Sequence, residues 1–204
     1  GDNTDWRGMK QCIERTQWLP PTSGGTATPV SLRGWADQTA LVLGAGGTAR
    51  AAIYALHRLG VARILLFNRT TSRAVELADQ VRSFTSIVGV LTTPTLGEDP
   101  ILQRVLGEEA GAVSLIVSTV PATNFAIDLP DTLFTAVHRN GKGGGGIALD
   151  MAYKPRRTPL LVAAARHGWR GVDGVDVLVE QARCQFEIWT RCVAPLVHLD
   201  IPSE

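Results

Sequence analysis

Residues 39–60 read TALVLGAGGTARAAIYALHRLG, and the middle of that stretch decides the fold. Residues 39–43 form a short apolar run. Gly44-Ala45-Gly46-Gly47-Thr48-Ala49 follows, then an Ala/Leu-rich segment that stops at Gly60. The pattern predicts a buried strand, a tight glycine turn and a helix with Gly60 as its C-terminal cap. At such a turn the first glycine permits the sharp bend. The next two let backbone N–H groups approach a pyrophosphate, and the helix N-terminus adds partial positive charge. Ala49 stands at the third glycine of the usual fingerprint and still allows close helix–strand packing. A lone Gly-x-Gly also occurs as plain structure; the strand–turn–helix context favours dinucleotide binding here.

The next strand, residues 62–67, ends at Asn68-Arg69-Thr70, with Arg73 one turn further on. An NAD site places an acid at this point for the ribose 2′-hydroxyl, whereas Arg accommodates a 2′-phosphate. No Asp or Glu ends this strand, and a guanidinium fork suits a phosphate dianion. The reading is therefore NADP over NAD, against the plain alternative that Arg69 and Arg73 are surface cations. Strands follow at 86–91, 112–121, 147–153 and within 169–174, with helical segments between them and a long final helix at 175–193. Thr158 is read as an N-cap, Pro159 as the first helical residue and Gly168 as the residue past that helix's end. Apolar strands alternating with helices predict an α/β, doubly wound, mostly parallel, Rossmann-like sheet covered on both faces. An N-terminal helix on Trp6, Met9, Cys12 and Ile13 packs outside it. Ser118-Thr119-Val120-Pro121 ends the fourth strand, where small side chains leave room for a nicotinamide ribose or simply make a turn. Residues 20–34 and the glycine run 141–146 are read as loops, and residues 191–204 as a tail along the domain surface.

The chain has 204 residues, 45% of them hydrophobic, enough for one sizeable core. Twenty basic and 19 acidic side chains leave a net charge of +1, so no basic stripe points to nucleic acid. No apolar run reaches the roughly 18 residues of a membrane span. Three cysteines without C-x-x-C spacing are read as small core residues in a reducing compartment. Four scattered histidines predict no metal site.

Taken in order, N-T-D-W-x-G from Asn3, G-A-G-G-T-A-R from Gly44, N-R-T-x-S-R-A from Asn68, S-T-V-P from Ser118, D-M-A-Y-K-P-x-x-T-P-L-L from Asp150 and L-V-x-Q-A-x-x-Q-F-x-x-W-T from Leu178 resemble the shikimate/quinate dehydrogenase family. The match runs from Asn3 to about Thr190. The resemblance implies a two-domain enzyme of aromatic amino acid biosynthesis or quinate metabolism. Its N-terminal domain carries most substrate contacts and a catalytic Lys; its C-terminal domain binds NADP. It carries over Asp5 as the acidic partner of that Lys, and Asn3, Tyr153 and Gln181 as substrate positions. Gly46, Gly47, Asn68, Arg69, Thr70 and Arg73 match cofactor positions, and Met151 sits in the strand-end loop near the nicotinamide; Gly44, Ala45 and Thr48 of the glycine turn and Ser118 and Thr119 at the fourth strand's end complete the predicted cofactor site. The substrate domain, its Ser-x-Ser pair and its Lys fall outside this sequence. Lys10 lies about 140° from Asp5 around a helix axis, and neither Lys142 nor Lys154 matches the lysine motif, so this segment alone is expected to be inactive.

Asp5 has a plain alternative role: Thr4 or Asp5 caps the first helix. The pattern departs from the family at Arg191, where Gly is common, and at Val177, where Met is expected beside the nicotinamide. These departures tilt the reading towards a relative of the fungal quinate-pathway repressor, a metabolite sensor with possible protein partners, nuclear if so. The alternative is a fragment of an active cytoplasmic dehydrogenase, such as a fungal arom-type chain. In either case the small-molecule ligand is shikimate or quinate.

Overall fold

The computed structural model describes residues 2–17, 35–93, 95–107, 113–121, 128–135 and 145–195. The readings on residues 20–34, 196–204 and Lys142, on most of the glycine run and on the latter part of the helix after Leu129 lie outside them. Six strands form one parallel sheet: β1 (Thr39–Leu43), β2 (Arg63–Phe67), β3 (Ile87–Leu91), β4 (Val113–Ser118), β5 (Ile147–Asp150) and β6 (Arg170–Val172). Their spatial order is β3-β2-β1-β4-β5-β6, and each neighbouring pair is parallel. This is the doubly wound order, with its topological switch between β1 and β4.

Two layers cover the sheet because its central strands are apolar at successive positions. Every residue of β1, β4 and β5 is buried. Val42, Ile64, Leu66, Leu115, Val117 and Leu149 face one core, beneath α1 (Asp5–Gln17), α2 (Gly47–Leu59), α3 (Thr71–Val81) and α7 (Gly174–Thr190). Leu41, Leu43, Leu65, Phe67, Ile116 and Ala148 face the other, beneath α4 (Pro100–Gly107), α5 (Asp131–Thr135) and α6 (Pro159–Arg166). Burying each Leu or Ile contributes about 1.5–3 kcal/mol. In α1 the buried stripe is Met9, Cys12, Ile13 and Thr16, the spacing of one helical face. In α2 the buried face is mostly alanine, which lets the helix lie close to the strands.

The helix ends follow local chemistry. Gly60 closes α2 at φ 85°, donating to the carbonyl of His57. Thr158 caps α6, its hydroxyl accepting from the Leu161 N–H at 3.3 Å, with Pro159 in the first turn. Gly168 follows α6 at φ 73°. Two readings change. The N–H of Asp5 donates to Asn3 Oδ1 at 2.8 Å, so Asn3 supplies the acceptor at the start of α1, where Thr4 or Asp5 was expected to. Cys12 and Cys184 are buried, but Cys192 is exposed and is not a core residue. Burial pushes the Cys12 thiol up to about 12, which makes it inert. Among the described residues no helix is long and apolar enough to cross a membrane.

Candidate functional site

The carboxyl ends of four strands are in register: Phe67 beside Leu43, Leu43 beside Ser118, and Ser118 beside Asp150. The residue after β1, β4 and β5 extends the ladder by one bond in each case. Gly44 N–H donates to Phe67 O at 2.8 Å, Thr119 N–H to Leu43 O at 2.8 Å, and Met151 N–H to Ser118 O at 2.9 Å. Four positions predicted from sequence, Asn68, Gly44, Thr119 and Met151, therefore form one row at the sheet edge. The row crosses the switch point, where ligands of open α/β sheets bind.

Gly44 is required there on two counts. Its φ is 113°, and a Cβ would meet the Thr119 hydroxyl oxygen at 2.4 Å. That hydroxyl is engaged, donating to Leu43 O at 2.9 Å, so Thr119 fastens β4 to β1. Gly46 and Gly47 differ: among the described residues a Cβ on either would meet nothing within 4 Å, so no packing there excludes a side chain at these two positions. What glycine leaves is an open backbone cradle at the start of α2, the shape a diphosphate needs. Thr48 is half-buried within the first turn of α2.

Beside this cradle a cleft of about 340 Å³ runs between α2 and α3, lined by Ala45, Gly46, Gly47, Arg50, Arg73 and Glu76, among others. Among the described residues neither Arg50 nor Arg73 has a side-chain hydrogen bond or ion pair. Arg50, which lines this cleft, is a candidate that the sequence reading missed. Its signal was present: a basic residue in the first turn of the helix that follows the glycines. Asn68 shapes the turn after β2, donating from Nδ2 to Thr70 O at 2.8 Å. Arg69 and Thr70 are exposed on that turn. The cradle, the turn and the guanidiniums of Arg50 and Arg73 fit a phosphorylated dinucleotide by shape and charge. A second cleft of about 210 Å³ opens at the same edge on the opposite face, lined by Leu43, Ser118, Val120, Pro121 and Asp150, among others. Ser118 does not point freely into it: its hydroxyl hydrogen-bonds the Asp150 carboxylate.

The substrate candidates form a separate group. Gln181 Nε2 donates to Asp5 Oδ1 at 2.9 Å, joining residues 176 positions apart. Gln185 Nε2 donates to Thr4 Oγ1 at 3.1 Å beside them. Asn3, Asp5 and Gln181 are thus brought together between α1 and α7. Tyr153 is 49% exposed beyond the end of β5 and makes no hydrogen bond among the described residues. Lys10 is unavailable to Asp5, because its Nζ pairs with Glu14 Oε1 at 2.6 Å. Lys154 is exposed. Val177, expected beside a nicotinamide, is instead fully buried in the core beneath α7. Among the described residues no group of three or more His, Cys, Asp or Glu could hold a metal ion.

The shikimate / quinate 5-dehydrogenase family model matches residues 29–94, the stretch that holds the glycine turn and Asn68-Arg69-Thr70. This chain belongs to the shikimate/quinate dehydrogenase family. It is 38% identical over 208 residues to the pentafunctional AROM polypeptide of Malassezia globosa, covering 98% of this chain and 11% of that one. It is 36% identical over 209 residues to the quinate repressor protein of Emericella nidulans, covering 96% of this chain and 21% of the repressor. Among solved structures it resembles the dehydroquinate dehydratase and shikimate dehydrogenase of the S. pombe AroM chain, at 37% identity and TM-score 0.69, over 96% of this chain and 33% of that one. It also resembles the Thermus thermophilus shikimate 5-dehydrogenase, determined in complex with NADP(H) and shikimate, at 25% identity and TM-score 0.62, over 96% and 59%. The chain therefore spans about a tenth to a fifth of these curated relatives.

Proposed function

We propose that this chain is the NADP-binding domain of a shikimate- or quinate-dehydrogenase-like protein, and that it works as part of a longer polypeptide. The observation that carries the reading is the open Gly46-Gly47 cradle in one cleft with the guanidinium of Arg73, which has no partner among the described residues. Gly44 to Thr48 and the start of α2 would hold the diphosphate; Asn68, Arg69, Thr70 and Arg73 would hold the 2′-phosphate, with Arg50 beside them. Thr119 and Met151 would bound the nicotinamide end, and Ser118 would support that end from below. When bound, the nicotinamide supplies a hydride acceptor.

Asp5, oriented by Gln181, would accept a hydrogen bond from a ring hydroxyl of shikimate or quinate, with Asn3 and Tyr153 as further contacts. Proton removal also needs the family's lysine, which no described lysine replaces, so the segment by itself should turn over neither substrate. Support for a further domain comes from α7, where Leu178, Phe186 and Trp189 (77% exposed) form an apolar stripe. The departures at Val177 and Arg191 lie in the core and at a helix end, and so they argue for neither enzyme nor sensor. The sensor reading rests on the 36% identity to the quinate repressor.

Fluorescence titration of NADPH and NADH tests the cofactor. NADPH should bind tighter, and Arg69→Ala or Arg73→Ala should weaken it about 10–100-fold while leaving NADH nearly unchanged, each phosphate contact being worth roughly 1.5–3 kcal/mol. Tighter NADH binding would overturn the NADP assignment. NADPH formation by the longer chain with shikimate or quinate would mark an enzyme; metabolite binding without turnover would mark a sensor.

A further inference from the structure

We propose that Asp150 is a positioning residue, whose buried carboxylate pins the Met151–Thr158 loop to the sheet edge and so builds the wall for the nicotinamide half of the cofactor. This rests on the NADP-binding reading above. Asp150 ends β5 and is only 3% exposed. An isolated buried carboxylate costs several kcal/mol, so a strand end that needed only packing would carry an apolar side chain. Here each partner is part of the loop or its frame. The Ala152 N–H donates to Asp150 Oδ1 at 3.1 Å, and the hydroxyls of Thr158 and Ser118 also hydrogen-bond the carboxylate. Thr158 is itself fully buried and caps α6, so one carboxylate ties together the ends of β4 and β5 and the start of α6. Burial pushes the Asp150 carboxyl above the usual range, and these three hydrogen bonds oppose that shift.

A second clasp holds the middle of the loop. Arg156 pairs with Asp173 at 2.7 Å, and Asp173 caps α7 by accepting from Val175 and Asp176 N–H at 2.9 and 3.0 Å. The backbone of Met151 lies against the same helix start, where a Cβ on Gly174 would meet Met151 O at 2.3 Å. Tyr153, exposed and without a hydrogen bond among the described residues, therefore takes its place from the loop backbone and not from its own contacts. Loss of the Asp150 acceptor should free that backbone while leaving the cradle at residues 44–47, two strands away, unchanged.

The test compares Asp150→Asn with wild type in the full-length protein, using NADPH and adenosine 2′,5′-bisphosphate, which probes only the adenosine half. The expected result is about a tenfold loss of NADPH affinity, unchanged bisphosphate affinity and faster amide exchange confined to residues 151–157. Equal losses for both ligands, or unchanged exchange in the loop, would overturn the proposal. Thr158→Val should reproduce the effect and Thr158→Ser should restore wild-type values; if Asp150→Asn does not fold, this pair decides by the same readouts. Wild-type protein that bound neither ligand would refute the NADP reading, and the exchange arm would still decide whether Asp150 holds the loop.

Discussion

Asp99 shows how a single side chain closes a turn. It is fully buried, and its two oxygens accept four backbone N–H groups: Thr92 and Thr93 on Oδ2, Ile101 and Leu102 on Oδ1. Burial alone would raise its carboxyl, but the four amides outweigh it and hold the group below the ordinary 3.8. A depressed folded value means that the stabilisation is present above the unfolded value and is lost as pH falls through the folded one. Asp99→Asn turns an amide NH₂ towards two of those donors and should cost about 2 kcal/mol at pH 7. Denaturant melts should show the wild-type advantage shrinking below about pH 4, and an advantage that stayed constant down to pH 2 would contradict this account. The pattern E-D-P-I-L marks a helix start, so Asp99 as a cap was within reach of sequence reasoning. Its grip on Thr92 and Thr93 depends on how β3 approaches α4 and was not. Arg191 teaches the same lesson. It ends α7 at φ 58°, a left-handed conformation that costs a non-glycine residue roughly 1–2 kcal/mol. The frequent glycine at this family position thus has a backbone reason unrelated to the cofactor.

At the level of elements, the contact between α1 and α7 brings the substrate candidates Asp5 and Gln181 together. Gly8 is a point of close approach: a Cβ there would meet Val177 O and Gln181 Cγ, both at 2.9 Å. Polar bonds flank it, with Asp5 to Gln181 on one side and Arg15 to buried Glu180 at 2.8 Å on the other. Arg170 fixes the far end of α1, its guanidinium donating to the carbonyls of Thr16 and Gln17 at 3.3 and 3.1 Å. Gly8→Ala should push the helices apart at the cost of about 1–3 kcal/mol. It should also weaken shikimate or quinate binding by the full-length protein more than NADPH binding, because the glycine cradle lies on α2. Calorimetric titration of both ligands checks the split; equal losses would mean that α1 does not position Asp5. The existence of α1 and its buried stripe were legible from the spacing of Trp6, Met9, Cys12 and Ile13. Its partner helix was not, since Gln181 is distant in sequence and nothing local records which surface α1 meets.

Across the whole molecule, the sheet edge is the organising surface. It carries the cradle, the row of Asn68, Gly44, Thr119 and Met151, and the Asp150 clasp. A ligand that binds there only in the folded state must stabilise the whole chain by mass action. NADP at 100 times its dissociation constant should add about 2.7 kcal/mol and raise the melting temperature by roughly 5–10 °C. The same concentration of NAD should raise it less, and scanning calorimetry with each nucleotide measures the difference.

Sequence by itself determined the alternation of strands and helices, the glycine turn, both ends of α6, the C-terminal end of α2 and the family. All of these are local: an apolar run, a glycine or a capping hydroxyl acts within a few residues along the chain. Tertiary structure alone decided that Asp5 meets Gln181, that Ser118 and Thr119 serve the frame, that Val177 is core and that Asp150 and Arg50 line the clefts at the sheet edge. Those outcomes depend on which surfaces pack together, a choice made by the shape and polarity of residues far apart in the chain.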